Sequence, residues 1–510
     1  MKMLRLSFRR PDTAFAAVVA LFAAVLAPTC PSRAGALPRG TPESQGVDSA
    51  GVLALVDALD RMEHVHSVML LRHGHVIAEG WWTPYEASSN HELYSLSKSF
   101  TSTAVGFAVA EGRLSVDDEV LSFFPDEGPA APEANLKAMR VRDLLTMSAG
   151  HQDETSSAPD RISAKSFLAH PVPHKPGTHF KYNTPATFML SAIVQKRTGQ
   201  TVLDYLKPRL FEPLGIETPV WNTNFQGISL GGYGLRVRTE DIARFGQFLL
   251  REGRWEGKQL LPASWIQQAT TRQVSNGSNP KSDWDQGYGF QFWRCRNGAY
   301  RGDGAFGQYC VVFPEHDVVL AITSGLRDMQ AVLNAVWDHL MPAFQPGRLP
   351  SNPGQQRRLE ARLAFLSVPT PTGSSVPAGS GEFLGRTYSF PPDDSGLESF
   401  SLEADPAGAG GYLVERRAGG TSRIPWGHGE WRKGVGSFGN YVEEPLAASG
   451  AWTSDSTFEA RICARETPYI AAVTLRFEGD EVTREVTMNV GFGGSRTVRQ
   501  IGKAPAKAAR

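Results

Sequence analysis

The spacing of apolar residues divides the chain into distinct regimes. Residues 14–27, "AFAAVVALFAAVLA", are continuously apolar. From residue 67 the pattern becomes regular, and "SVMLLRHGHVIAEGWW" predicts a hairpin turning at His73-Gly74. Phe100, Ala104, Phe107 and Ala108 keep helical spacing, which predicts a helix over residues 95–111, stopped by Gly112. Further helices are expected over 141–147, 187–198 and 239–251. Between residues 287 and 324 strand patterns return in "GYGFQFWR", "AYRGDG", "QYCVVF" and "DVVLAIT", and an amphipathic helix follows over 327–340. Strands at both ends of a helical middle predict one α+β domain, residues 37–345, whose sheet uses both ends of that segment.

The pattern shifts after Phe344. "QPGRLPSNPG" is rich in helix breakers, "QQRRLEARLAFL" is a short helical stretch, and residues 367–381, "SVPTPTGSSVPAGSG", read as a linker. Residues 346–381 are therefore expected to connect two units. From 382 to 502 the chain alternates and turns often, as in "YIAAVTLRFEGDEVTREVTMNV" with its turn at Gly479-Asp480. This predicts a separate all-β unit, a small barrel or a sandwich. Residues 503–510, "KAPAKAAR", are expected to form a disordered tail.

Composition adds little to the core and more to location. Of 510 residues, 41% are hydrophobic and 20% charged, which is ordinary for globular chains. Lys+Arg and Asp+Glu both number 52, so no basic excess points to nucleic acid. Lys2, Arg5, Arg9 and Arg10 precede the apolar run, and Pro28, Pro31 and Ala34-Gly35-Ala36 follow it. That order predicts an export signal, residues 1–36, cut after Ala36, and a periplasmic or secreted mature chain. The run of 14 residues is short of the roughly 20 that span a bilayer, so no membrane span is expected after cleavage. Cleavage leaves 47 basic against 51 acidic residues, a net charge of −4.

Three cysteines then remain, Cys295, Cys310 and Cys463. In an oxidising compartment Cys295 and Cys310, in neighbouring predicted strands, are the better candidates for a disulfide, with buried free thiols as an equal alternative. Their spacing is not that of a zinc site, and no metal or cofactor is implied.

The candidate chemistry begins at "YSLSKSF", residues 94–100. A serine hydroxyl is a weak nucleophile until a base takes its proton, and a lysine can serve if desolvation lowers its proton affinity. The two must share a helix face, which requires a spacing of three or four. Ser97 and Ser99 adjoin Lys98 and diverge from it, whereas Ser95 lies three residues before it. Ser95 also falls in the first helical turn, where unpaired N–H groups favour developing negative charge. Ser95 is therefore the candidate nucleophile and Lys98 its base, with Ser97 and Ser99 as capping or wall residues.

"YSLSKSFTS" resembles the nucleophile motif of the β-lactamase-related, penicillin-recognising serine hydrolases. "VRDLLTMSAG" (141–150), "PGTHFKYNTPATFMLSAIVQKRTG" (176–199), "GGYGLRVRTEDIARFGQFLL" (231–250), "GYGFQFW" (287–293) and "YRGDGAFGQYCVVFPE" (300–315) resemble later blocks of that family, in family order. The nearest branch holds class C β-lactamases, esterases and 6-aminohexanoate-dimer hydrolases. The resemblance implies a β-lactamase/transpeptidase-like fold, an antiparallel sheet flanked by helices. It makes Tyr182 the second catalytic group, a phenol that shares a proton with Lys98 and Ser95 and is ionised by the nearby ammonium. It also implies an oxyanion hole from the backbone N–H groups of Ser95 and Ala305.

Two departures bear on the substrate. The family's Tyr-x-Asn is here Tyr182-Asn183-Thr184, so Thr184 supplies a hydroxyl where an amide is usual. The family's Lys-Thr-Gly or His-x-Gly is here Gly302-Asp303-Gly304, so no cation stands where a substrate carboxylate is usually bound. The resemblance makes Thr184, Gly302, Asp303 and Gly304 substrate-binding; Arg294, Arg296 and Arg301, nearby in sequence, are candidates to substitute for the missing cation. The expected function is hydrolysis of a small amide or ester through an acyl-enzyme. A penicillin-binding protein, D-alanyl carboxypeptidase or β-lactamase is the first alternative, disfavoured by the missing lysine. A non-catalytic binding protein on the same fold is the second.

Overall fold

The computed structural model describes residues 35–505 apart from 377–379, 407, 409, 440 and 495. The export signal expected over 1–36 lies almost wholly outside the described residues. The chain adopts the expected α+β architecture and adds a C-terminal barrel.

The central sheet has three largely apolar strands, buried along their whole length, at its middle and more polar strands flanking them. Its strands are β1 (Val65–Arg72), β2 (His75–Trp81), β3 (Trp293–Arg294), β4 (Tyr300–Gly304), β5 (Gln308–Phe313) and β6 (Val318–Ser324). They pair in the order β2-β1-β6-β5-β4-β3, all antiparallel, so the early hairpin and the late strands share one six-stranded sheet. Both faces are covered, which is why alternate residues of β1, β5 and β6 enter different cores. Met69, Leu71, Cys310, Val312 and Ala321 join one core, with Phe100 and Phe245. Val68, Leu70, Tyr309, Val311 and Leu320 join the other, with Val52, Leu55 and Leu333. The first core is built on α2 (Ser97–Ala110), α3 (Thr184–Thr198) and α4 (Thr239–Leu250), the second on α1 (Ser49–Asp60) and α5 (Met329–Ala335).

That alternation decides between the two alternatives for Cys295 and Cys310, against the disulfide and for buried free thiols. Cys295 and Cys310 are both free and buried. Cys310 points into the first core and Cys295 into the second. Cys310 pairs with Gly302 on β4, and Cys295 follows β3 on the far side of β4, so two strand spacings of about 4.8 Å each separate them. No disulfide spans that gap from opposite faces. Arg301 Nη1 instead donates to Cys295 Sγ at 3.1 Å.

Residues 367–376 are not a loose tether. Leu366 and Val368 are buried in the second core beside Leu359 of α6 (Pro353–Ala364), and Ser374 exchanges backbone hydrogen bonds with Trp452. Breaker-rich composition marks a lack of regular structure, not a lack of packing.

The C-terminal strands are β7 (Thr387–Ser389), β8 (Leu397–Ala404), β9 (Gly410–Arg417), β10 (Gly420–Gly427), β11 (Arg432–Phe438), β12 (Tyr441–Ser454), β13 (Thr457–Ala464), β14 (Ile470–Glu478), β15 (Glu481–Met488) and β16 (Thr497–Lys503). The order is β10-β9-β8-β7-β16-β15-β14-β13-β12-β11, and a parallel β10–β12 pairing closes nine of them into a barrel. Between a barrel and a sandwich the chain takes the barrel. Trp426, Trp452, Phe458 and Phe477 fill its interior, as the inward positions of alternating strands must. The tail expected to be disordered from residue 503 is ordered at its start, where Lys503 ends β16 and the Ala504 N–H donates to Asp480 O; residues 506–510 lie outside the described residues.

The barrel docks on the rim of the α+β unit through Arg236 to Glu444 and Glu466, Tyr441 to Glu92, and Tyr94 to Tyr469. At this junction His66 Nδ1 and His91 Nε2 lie 3.0 Å apart, and His66 stacks on Tyr85, which contacts Cys463 of β13. Burial depresses the pKa of both histidines, that of His91 to about 4. A depressed histidine binds its proton more readily unfolded. Its contribution is therefore present above the unfolded value of 6.5 and is lost as pH falls through about 4. Denaturant midpoints should fall between pH 7 and pH 4.5, and His91→Asn should flatten that dependence; an unchanged slope in the variant would exclude the pair as its source.

Candidate active site

Tyr94 has a positive φ of 47°, which turns the chain sharply between Glu92 and the helical run. A 3₁₀ turn (Tyr94–Leu96) leads directly into α2, so the expected single helix from residue 95 starts as this tighter turn. Ser95 sits on the turn at the cleft floor, and Lys98, one turn on, lies beneath it with 1% of its surface exposed.

The Lys98 Nζ donates to Ser95 Oγ at 3.2 Å, to Thr184 Oγ1 at 3.3 Å and to the Gly232 carbonyl at 2.8 Å. Burial lowers its pKa to about 7, with Glu154 and Asp303 opposing that effect from a distance. When neutral, the buried amine can donate to Thr184 Oγ1 and the Gly232 carbonyl and turn its lone pair to Ser95 Oγ, which suits it to accept the hydroxyl proton near pH 7. The other serines serve structure. Ser97 Oγ accepts from the Leu235 N–H, and Ser99 Oγ donates to the Gln291 carbonyl.

Tyr182 enters from the residue pair preceding α3. Its hydroxyl contacts Ser95, its ring stacks on Trp293 at 5.3 Å, and Lys98 Nζ lies 5.0 Å from its ring centroid. Burial and then Asp303 push the Tyr182 pKa up, against the direction of the ionised phenol that the resemblance implies, while burial lowers that of Lys98. Asn183 Oδ1 caps α3 by accepting from the Ala186 N–H, which turns it away and leaves Thr184 at the site.

The third motif departs from its expected role at two positions. A Cβ at Gly302 would lie 2.5 Å from both Leu96 Cδ1 and Ser99 Oγ, so this residue packs β4 on α2 and does not line the cleft. Asp303 borders the cleft but is bound to Arg301, with Nη2–Oδ2 at 2.8 Å, so it is a buried ion pair and not a free substrate contact. Gly304 presses the strand onto the nucleophile turn: a Cβ there would lie 2.0 Å from Leu93 O and 3.1 Å from Ser95 N. That approach sets the backbones of Ser95 and Ala305 side by side at the cleft wall.

None of the three arginines replaces the missing cation. Arg301 is fully buried, 4.4 Å from the Trp284 ring, and donates to Asp303, Asp283 O and Cys295. Arg296 is held by Asp283, and Arg294 by the Thr270 and Gly298 carbonyls. The cleft measures about 950 Å³, and among the described residues no arginine, lysine or histidine lines it. Its charged lining is Glu154 and Asp303, and its aromatic lining includes Tyr233, Trp284, Trp293 and Phe492. With Asp303 paired to Arg301 and the Glu154 pKa raised by burial, the wall offers a carboxylate no positive partner and suits neutral or apolar groups.

Glu154 and Phe492 line the cleft without a sequence signal of their own, while Tyr94 and Gly232 lie inside motif segments whose chemistry pointed to other residues. Glu154 accepts from the Thr184 N–H at 3.4 Å, and Gly232 must lack a side chain because a Cβ would lie 2.8 Å from Thr184 Cγ2. Each owes its place to a contact across distant segments. The cation-free third motif was the one available hint that the cleft would be acidic.

The family described as beta-lactamase matches residues 54–335. The 6-aminohexanoate-dimer hydrolase of Paenarthrobacter ureafaciens is 25% identical over 300 residues, which cover 54% of this chain and 76% of that protein. The D-aminopeptidase of Brucella anthropi is 26% identical over 163 residues, 29% of this chain and 31% of that one. Of solved structures, the octameric penicillin-binding protein homologue of Pyrococcus abyssi aligns with 89% of this chain and 99% of its own, at 16% identity and a TM-score of 0.45.

Proposed function

Because the chain belongs to the beta-lactamase family, we propose that it is a serine hydrolase that cleaves a small amide or ester through an acyl-enzyme on Ser95. The observation that carries the reading is the Lys98 amine, buried, with its pKa lowered to about 7, and 3.2 Å from Ser95 Oγ.

The proposed course begins with neutral Lys98. Its amine takes the Ser95 proton as Oγ attacks the substrate carbonyl carbon. The resulting oxyanion is held by the N–H groups of Ser95 and Ala305. The tetrahedral species expels its alcohol or amine, which receives the Tyr182 proton, and Tyr182 is reprotonated by the Lys98 ammonium. Water then attacks the ester on Ser95, with the same groups moving its proton, and releases the acid.

The acidic, cation-free cleft supports an uncharged acyl portion and counts against β-lactams and D-alanyl peptides, whose carboxylate needs a positive partner. The test is to incubate the protein with a fluorophosphonate and, separately, with a penicillin, and to locate adducts by peptide mass. Adduct on Ser95 from the fluorophosphonate alone is expected. Adduct from penicillin would favour a penicillin-recognising enzyme, and no adduct from either on folded protein would refute catalysis at this site.

A further inference from the structure

The barrel contributes to the cleft. Its last hairpin, between β15 and β16, carries Phe492, whose ring lies 5.7 Å from Tyr94 and 5.0 Å from Phe306. Tyr94 precedes Ser95 and Phe306 follows Ala305, so the ring stands over the residues that flank both proposed oxyanion donors. It nevertheless remains 74% exposed, a large apolar surface left open beside the nucleophile.

The hairpin is held in this position from below. Asn489 Nδ2 donates to Gly325 O at 3.0 Å and to Pro468 O at 2.9 Å, and its Oδ1 accepts from the Ile470 N–H at 2.8 Å. Arg327 Nε donates to Asn489 O at 3.1 Å. Gly325 cannot carry a side chain, since a Cβ would lie 2.1 Å from Pro468 O. Tyr469 of the barrel fixes Tyr94 through a hydroxyl contact of 2.6 Å. The base of the hairpin is thus bonded to the α+β unit, and three residues further on the chain presents an unsatisfied aromatic face to the cleft.

We propose that Phe492 is a specificity-determining wall of the substrate site, selecting substrates whose acyl group is apolar and extended. This deepens the serine-hydrolase reading and rests on it. The acyl group is assigned because the ring borders the proposed oxyanion donors, whereas the leaving group must meet Tyr182, which packs on Trp293. An acyl chain laid on Phe492 would cover the exposed face of a ring whose other neighbours, Tyr94 and Phe306, belong to a buried cluster with Val490. A carboxylate-bearing acyl group would find only Glu154 and Asp303 among the charged lining.

The test compares p-nitrophenyl acetate and p-nitrophenyl octanoate with the full-length protein, its Phe492→Ala variant and its Phe492→Leu variant. The alanine variant should lose about tenfold in kcat/KM for octanoate, mostly through KM, which corresponds to roughly two methylenes returned to water. Acetate turnover should stay within about twofold, because that acyl group is too short to reach the ring. Leucine should restore most of the octanoate preference. An unchanged octanoate-to-acetate ratio in Phe492→Ala, with Ser95 still acylated, would overturn the subsite and leave the hydrolase standing. A wild-type protein that acylates with neither ester nor fluorophosphonate would overturn both.

Discussion

Replacing Lys98 by alanine is expected to slow acylation of Ser95 by about 10³-fold or more, while the protein stays folded. The loss follows from removal of the amine that stands 3.2 Å from Ser95 Oγ with its pKa lowered to about 7. Tyr182 is a poorer base, because burial and then Asp303 push its pKa up. Stability should suffer little by comparison. The amine is costly to bury, and its loss leaves Thr184 Oγ1 and the Gly232 carbonyl, both beside a cleft that water can enter. Lys98→Met, which keeps most of the side-chain volume, should lose as much activity with less structural change. A fluorophosphonate labelling rate within tenfold of wild type in either variant would remove Lys98 from the mechanism.

Gly304→Ala should lower kcat/KM by about 10²–10³-fold, the loss measured when one oxyanion donor is removed. The added methyl would meet Leu93 O at 2.0 Å and Ser95 N at 3.1 Å, and backbone cannot yield as a flexible side chain does. Strand β4 must shift away from the nucleophile turn, carrying Ala305 with it. Ser95 and Lys98 stay in contact because the 3₁₀ turn runs directly into α2, so the variant separates the oxyanion hole from the nucleophile and its base. Steady-state kinetics on an ester would check this, alongside a thermal melt to confirm folding. Turnover within threefold of wild type would mean that the strand's approach does not position the hole.

The parts of the site that could be read from sequence are those set by local geometry. A spacing of three puts Ser95 and Lys98 on one face, and no other serine in the segment meets that condition as well. The sheet was readable because successive side chains of residues 68–71, 309–313 and 318–322 enter two buried cores in turn, so these runs stay apolar. Alternation also carried the answer to the disulfide: facing depends on position within each strand, and Cys310 and Cys295 fall on opposite sides.

What remained hidden depends on tertiary contact. Arg301 reads as a free cation beside the third motif, yet its side chain turns inward to Asp303 and Cys295. Tyr182 reads as an ionised base because Lys98 is near, but burial outweighs that proximity at both groups. Phe492 lies in a glycine-flanked hairpin of another unit, nearly 400 residues after Ser95. Nothing in its local sequence points to the cleft, and only the docking of the barrel brings it there.

The most direct measurement of the central claim is the pH dependence of Ser95 acylation by a fluorophosphonate, with the adduct located by peptide mass. Acylation needs the neutral amine, so the rate should rise with pH along a single titration whose midpoint lies near 7, the value to which burial brings Lys98. Lys98→Met should abolish that titration. A midpoint near the ordinary lysine value of 10.5, or the same titration persisting in the variant, would contradict the account.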